Sequence, residues 1–187
     1  MINATEFDFG SGPVRAHRHA HGGGWVADSA RVADSAYVGP SARVSDNAWV
    51  HGDARVSGHA RVYGNARVYD KALVFDNAQV YGDARVGGNA RVYADAWVYD
   101  TARVYGDARV GGNARLFKSS DYLLIGPIGS REACMTWTRS DNCIDTGCFR
   151  GTVDEFLEAV RETHGDNEHA KAYRAAVKFI SALEQLP

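Results

Sequence analysis

The sequence predicts an all-β solenoid of stacked parallel strands followed by a small α+β module, and three observations predict it. From Ala30 onward the chain falls into six-residue units without an insertion, fifteen of them filling residues 30–119. Residues 120–187 leave that register, with short β patterns, a capping box and then apolar residues at helical spacing. The overall composition, 45% hydrophobic and 24% charged with 20 Gly, is that of a soluble globular chain rich in turns.

Each unit consists of Ala, a variable residue, Val and three corner residues; Gly24 to Ser29 form a sixteenth unit with Gly in place of Ala. Ala and Val, two places apart, lie on the same side of an extended segment, and the residue between them points the other way. The corner is typically Tyr-Gly-Asp or Tyr-Gly-Asn, residues that tolerate positive φ and form local side-chain bonds. A helix is excluded, because at roughly 100° per residue a period of six scatters Val over three directions. Identical units running head to tail stack in parallel, each burying Ala and Val on the unit one coil away.

In these repeats, residues 24–119 resemble the hexapeptide-repeat proteins. That resemblance implies a left-handed parallel β-helix, a triangular prism with three units per coil. Sixteen units then make about five coils, and at ~4.8 Å between stacked strands the prism is roughly 26 Å tall. A spacing of 18 assigns the outward residues to three faces. The first carries Trp25, Arg43, Arg61, Gln79, Trp97 and Arg115 beside Tyr63, Tyr81, Tyr99 and Phe117. The second carries Arg31, Trp49, Arg67, Arg85 and Arg103 beside His51, Tyr69, Gly87 and Tyr105, and the third Tyr37, Arg55, Leu73, Arg91 and Arg109 beside Ser57, Phe75, Tyr93 and Gly111. Ten Arg at one phase are expected to be balanced by corner Asp such as Asp53, Asp83, Asp95 and Asp107. The aromatic line of Tyr63, Tyr81, Trp97, Tyr99 and Phe117 exceeds scattered apolar exposure and reads as a homotrimer interface or a platform for planar ligands.

Residues 1–23 contain Phe7, Phe9 and Val14, enough to cap the first coil, and no apolar stretch of the kind a secretion signal needs. His17, His19 and His21 alternate along one side of an extended strand, but with three Gly following and no fourth ligand the expectation is a polar strand and no metal. In the module at residues 120–187, strands are expected at 122–125, 133–138 and 142–149, with turns at 126–130 and 139–141. Thr152 and Glu155 form a capping box for a helix that ends at Gly165, and Asp166 or Asn167 caps a second helix with Tyr173, Ala176, Val177, Ile180 and Leu183 on its apolar face. This tail resembles a small module of phage and mobile-element proteins in Ile125-Gly126-Pro127-Ile128-Gly129-Ser130, Gly147-Cys148-Phe149-Arg150-Gly151-Thr152 and Thr163-His164-Gly165-Asp166-Asn167.

Two function classes follow. The hexapeptide-repeat resemblance implies an acyltransferase using acyl-CoA, with a His as general base; here the candidates are His51 and His59, with Asp53 the available orienting carboxylate and no loop to enclose a site. The other class is a non-enzymatic oligomeric binding protein that takes an anionic, nucleotide-like ligand or a host protein, the phage-like tail implying interference with host machinery or defence. Its candidate residues are Arg85, Arg103 and Tyr105 on the second face, where Gly87 and Gly111 remove an aromatic from their ladders and open notches, and Arg131, Arg150 and His164 in the tail. Cys148 with His164 admits a nucleophile reading beside that of a buried, inert thiol. No motif calls for a cofactor. A net charge of −2 argues against nucleic acid, the lack of a long apolar run against a membrane, and three Cys without a paired spacing point to the cytoplasm.

Overall fold

The computed structural model describes residues 5–185, so residues 1–4 of the expected cap and 186–187 lie outside the described part. The chain divides into two compact units, Met1–Asp121 and Tyr122–Pro187. Two strands, β1 (Thr5–Asp8) and β2 (Pro13–Arg18), precede sixteen strands of two or three residues, from β3 (Trp25–Ala27) to β18 (Arg115–Leu116). These sixteen form three parallel sheets, one per predicted face, and every strand pairs with the strand 18 residues away, Arg67 with Trp49 on one side and with Arg85 on the other. The backbone bonds repeat with the coil: the Arg67 N–H donates to the Ala84 carbonyl at 2.9 Å and the Tyr69 N–H to the Val86 carbonyl at 3.0 Å.

From Ala36 to Leu116 the first and third residue of every unit are fully buried, so the prism interior is a column of Ala and Val closed by Leu116. The corners turn at the fifth residue, where Gly52, Gly64, Gly82, Gly88 and Gly106 and also Asp46, Asp70, Asp76, Ala94 and Asp100 have φ between +54° and +69°. The Asp residues among them compensate for that conformation. Asp46 accepts the Gly64 N–H at 2.9 Å, Asp70 the Gly88 N–H at 3.1 Å and Asp76 the Ala94 N–H at 3.2 Å, each one coil on.

The N-terminal segment differs from the expected plug. β1 and β2 form an antiparallel hairpin, and β2 pairs with β3, so the hairpin extends the first-face sheet. Ala30 and Val32 in the first unit of the second face accordingly stay half-exposed. Phe9 is buried and Phe7 stacks on Trp25 with ring centroids 4.4 Å apart, but Val14 is 46% exposed and contributes nothing to the cap. The Arg61 guanidinium donates to the Phe9 carbonyl and Arg43 lies 5.2 Å from the Phe7 ring, which fastens the hairpin tip to the first face.

In the second unit, β19 (Tyr122–Ile128), β20 (Ala133–Thr138), β21 (Cys143–Thr146) and β22 (Phe149–Thr152) form an antiparallel meander, followed by α1 (Val153–His164) and α2 (Glu168–Glu184). Trp137, Met135, Ile144, Phe156, Val160, Tyr173 and Ile180 make its core. The capping box is present at Thr152 and Glu155, and Asn167 rather than Asp166 caps α2, its side chain accepting the Ala170 N–H at 3.0 Å. Two expectations fail here. The strand expected at 122–125 continues through a register shift to Ile128, and the single strand expected at 142–149 is a hairpin broken at Gly147-Cys148, with Gly147 at φ +55°. The β-forming Ile144, Thr146 and Phe149 on either side hid a two-residue turn at Gly147-Cys148.

Candidate functional site

That missed hairpin builds the most site-like cavity of the second unit. Its tip, Gly147 and Cys148, lies beside Arg131, and together with Ser130, Thr163, His164 and the floor residues Phe149, Phe156, Val160 and Tyr173 it lines a space of about 200 Å³. The floor is aromatic because it is the edge of the core: Phe156 meets Tyr173 edge-on at 5.2 Å and Phe149 meets Phe156 at 5.4 Å. Gly129 has φ +74°, and a Cβ there would sit 1.9 Å from the Tyr173 hydroxyl oxygen, so only glycine lets the β19–β20 connection close over this ring. Burial pushes the Tyr173 hydroxyl above its ordinary range, and the charge of Arg131 opposes the shift.

Arg131 is the permanent cation of this cavity. Its Nη1 is 3.8 Å from Cys148 Sγ, and among the described residues no carboxylate pairs with it. His164, in the last turn of α1, packs 5.9 Å from the Tyr173 ring and 5.8 Å from that of His169. Cys148 is exposed at the hairpin tip, not buried as expected: the turn at Gly147 carries the thiol out of the strand. Arg150 does not join them. It sits opposite Asp145 in the β21–β22 pairing, and its guanidinium lies 2.8 Å from Asp141 and 3.6 Å from the buried Asp145, so its charge is held in a structural ion pair.

On the solenoid, the sites read from sequence take other forms. The notches expected at Gly87 and Gly111 are filled by the chain itself, since a Cβ would meet the Tyr69 ring at 2.6 Å and the Tyr93 ring at 2.3 Å. Tyr69 leans across Gly87 and hydrogen-bonds Tyr105, two coils on, with ring centroids 6.4 Å apart; burial and this bond push its hydroxyl up to about 12. Arg85 and Arg103 are register neighbours beside this pair. On the first face Tyr63, Tyr81 and Tyr99 stack with centroids 4.8 and 5.1 Å apart and planes within 11°, so the ring faces cover one another and present edges outward. A platform for planar ligands needs free faces, and these rings lack them. Trp97 lies 6.1 Å from Tyr81, and Phe117, 48% exposed, closes the line.

Ladder Arg side chains lie against aromatic rings. Arg55, Arg67 and Arg115 lie 4.8, 5.6 and 4.2 Å from the rings of Tyr37, Trp49 and Trp97, and the corner carboxylates Asp83, Asp95 and Asp107 accept from Asn65, Asn77 and Asn89, one coil back, at 3.0 to 3.1 Å. Rings within reach of the guanidinium attract it through their faces, and the amides share the corner with the carboxylates. Of the two expected base candidates, His51 packs between Trp49 at 4.4 Å and Tyr69 at 5.4 Å on the second face. His59 is an exposed corner residue after the third. His17 lies 3.1 Å from Asp28, His19 from the His21 carbonyl at 3.2 Å, and His21 packs on Tyr37. Three separate partners disperse the imidazoles that alternation in sequence aligns.

The YdcK beta solenoid repeat family matches residues 54–70, 60–76 and 84–100, within the prism. No curated protein and no solved structure matches the chain. Among the described residues, no helix is long and apolar enough to cross a membrane.

Proposed function

We propose that the protein is a non-enzymatic, oligomeric binding protein in which the solenoid is the scaffold and the C-terminal module takes an anion at Arg131 and His164. One observation carries the reading. Arg131 borders an apolar-floored cavity without a carboxylate partner, while Arg150 of the same module is held by two carboxylates. A guanidinium so placed favours an incoming anion over solvent. The stacked Tyr63, Tyr81 and Tyr99 with the exposed Phe117 support self-association through the first face as a trimer. The phage-like character of the tail adds a host molecule as the ligand's source or partner.

Native mass spectrometry of protein purified from its own host tests this reading, because it reports stoichiometry and retained small anions together. Arg131→Glu should abolish retention, and Arg85→Glu with Arg103→Glu should leave it intact. Tyr81→Glu with Tyr99→Glu should shift the trimer to monomer. Retention of an acyl-CoA turned over by wild type but not by His51→Ala or His59→Ala would replace this reading with the acyltransferase.

A further inference from the structure

Resting on that anion-binding reading, we infer the class of ligand: a small monocarboxylate on an apolar body, with the carboxylate on Arg131 and the body over Phe149, Phe156, Val160 and Tyr173. Three features of the cavity select it. The first is charge, since Arg131 is the only permanently charged side chain in the lining. One guanidinium neutralises one carboxylate through a planar, two-bonded fork. A phosphate dianion needs a second cation or a ring of backbone N–H groups, and α1 meets this space with Phe156, Ala159, Val160, Thr163 and His164, its C-terminal half. That end of a helix carries negative partial charge and disfavours a dianion.

The second feature is the floor. Phe149, Phe156 and Val160 offer no hydrogen-bonding group and Tyr173 only its hydroxyl, so the several hydroxyls of a sugar set against this floor lose most of their water without replacement. The third is size. About 200 Å³ is below the ~300–1,000 Å³ of sites for drug-sized molecules. That size favours an acid of the size of phenylacetate over a nucleotide. The same chemistry is offered by a free acid or by the chain-terminal carboxylate of a peptide ending in an apolar residue.

Cys148 supplies the reporter, because its thiol lies 3.8 Å from the Arg131 guanidinium at the mouth of the cavity. Iodoacetate and iodoacetamide alkylate a thiolate by the same displacement: the C–S bond forms as C–I breaks, iodide leaves, and the thiol proton passes to solvent. Only the first reagent carries a carboxylate. With the full chain and peptide mapping of Cys148, the ratio of iodoacetate to iodoacetamide rates should exceed that of the unfolded chain several-fold and fall back to it in Arg131→Ala. Phenylacetate at millimolar concentration should slow iodoacetamide at Cys148 several-fold, and its neutral amide should not. A pentapeptide ending in Phe, free or amidated at its C-terminus, separates the two sources; protection by the free-acid peptide but not by phenylacetate assigns the chain-terminal one. Protection by inorganic phosphate but not by either carboxylate, lost in Arg131→Ala, overturns the ligand class and leaves the anion-binding reading standing. A reagent ratio unchanged by Arg131→Ala, with no anion protecting, overturns both. Arg131 is exposed, so an unchanged melting curve shows that the variant is folded.

Discussion

In the solenoid each residue is answered by its equivalent one coil away, whereas in the C-terminal module each core residue occurs once and has partners of its own. Val68 sits between Val50 and Val86, and Tyr81 between Tyr63 and Tyr99. Trp137 has no such copy; its ring is 1% exposed and its Nε1 donates to Asn142 at 2.9 Å. Repetition uses up chemistry, since ladder neighbours occupy the ring faces, corner carboxylates and notches that a ligand would need. The irregular module leaves the Arg131 guanidinium at a cavity without a carboxylate partner among the described residues.

The contrast is broken most severely from inside the prism. Val68→Asp puts a carboxylate into a column of fully buried Ala and Val with no polar partner, a cost of several kcal/mol, and should unfold or aggregate the protein. Arg67→Ala, one residue away and exposed, should change stability by less than about 1 kcal/mol. Thermal melts of the pair check the inside/outside phase; equal effects would reject it. Trp137→Ala should cost about 3–5 kcal/mol and do so in the module alone, its amides losing hydrogen-exchange protection while those of the Val strands keep theirs.

The third effect separates the two arginines of the module. Arg150→Ala strands Asp145, which is 3% exposed, and Asp141, and should destabilise by about 2–3 kcal/mol. Arg131→Ala should leave the denaturation midpoint unchanged. Similar losses from the two would mean that Arg131 is also a structural group and remove the basis for the anion site.

These two arginines also mark the limit of what sequence carries. Period six and strand alternation fix which residues point inward, while the 18-residue register and the membership of the three faces follow from the hexapeptide-repeat resemblance and agree with the strand pairing. The occupants of the outer surface are a different matter: a Tyr at one coil can lean over a Gly at the next, as Tyr69 does over Gly87, and composition does not show it. In the module, Arg131 and Arg150 look alike as letters. They part only when Gly147 turns the chain and sets Arg150 opposite Asp145 and Cys148 beside Arg131. Gly147 inside the stretch expected as one strand was the signal available for that hairpin.

A smaller effect appears at alkaline pH and belongs to the solenoid. In the unfolded chain Tyr69 loses its proton near 10.0, but in the folded chain not until about 12. The folded state therefore holds the extra proton in that window, so its stabilising contribution is complete below pH 10 and disappears as pH rises toward 12. Tyr69→Phe should lower the melting temperature at pH 9 slightly, by the loss of the bond to Tyr105, and should flatten the further fall between pH 9 and pH 11. An identical fall in wild type and variant would show that Tyr69 is not the group responsible.

The smallest expected effect is a gain, and it tests whether the corners are as interchangeable as the repeat suggests. At the fifth position of the unit, positive φ is taken by Gly, which has no Cβ to strain, or by Asp, whose carboxylate at residues 46, 70 and 76 recovers a bond to the N–H of the next coil. Ala94, at φ +55°, has neither device. A left-handed Ala costs roughly 1–2 kcal/mol, and the extra freedom of Gly in the unfolded chain offsets about 0.5–1 of it, so Ala94→Gly should stabilise by about 0.5–1 kcal/mol. For a chain of this length that is a rise of roughly 1–4 °C in melting temperature. The bonds made by the Ala94 backbone, its N–H to Asp76 at 3.2 Å and its carbonyl from Asn77 at 3.0 Å, do not depend on the side chain and survive the change. Gly82→Ala is the opposing control. A Cβ at Gly82 meets the Asp100 backbone nitrogen at 2.8 Å, so this corner should lose stability where Ala94→Gly gains it. Opposite signs at two positions of identical phase would show that the repeat fixes the path of the chain while each corner sets its own strain; a loss at both would mean that Ala94 is relaxed and that the corner geometry is less uniform than its period.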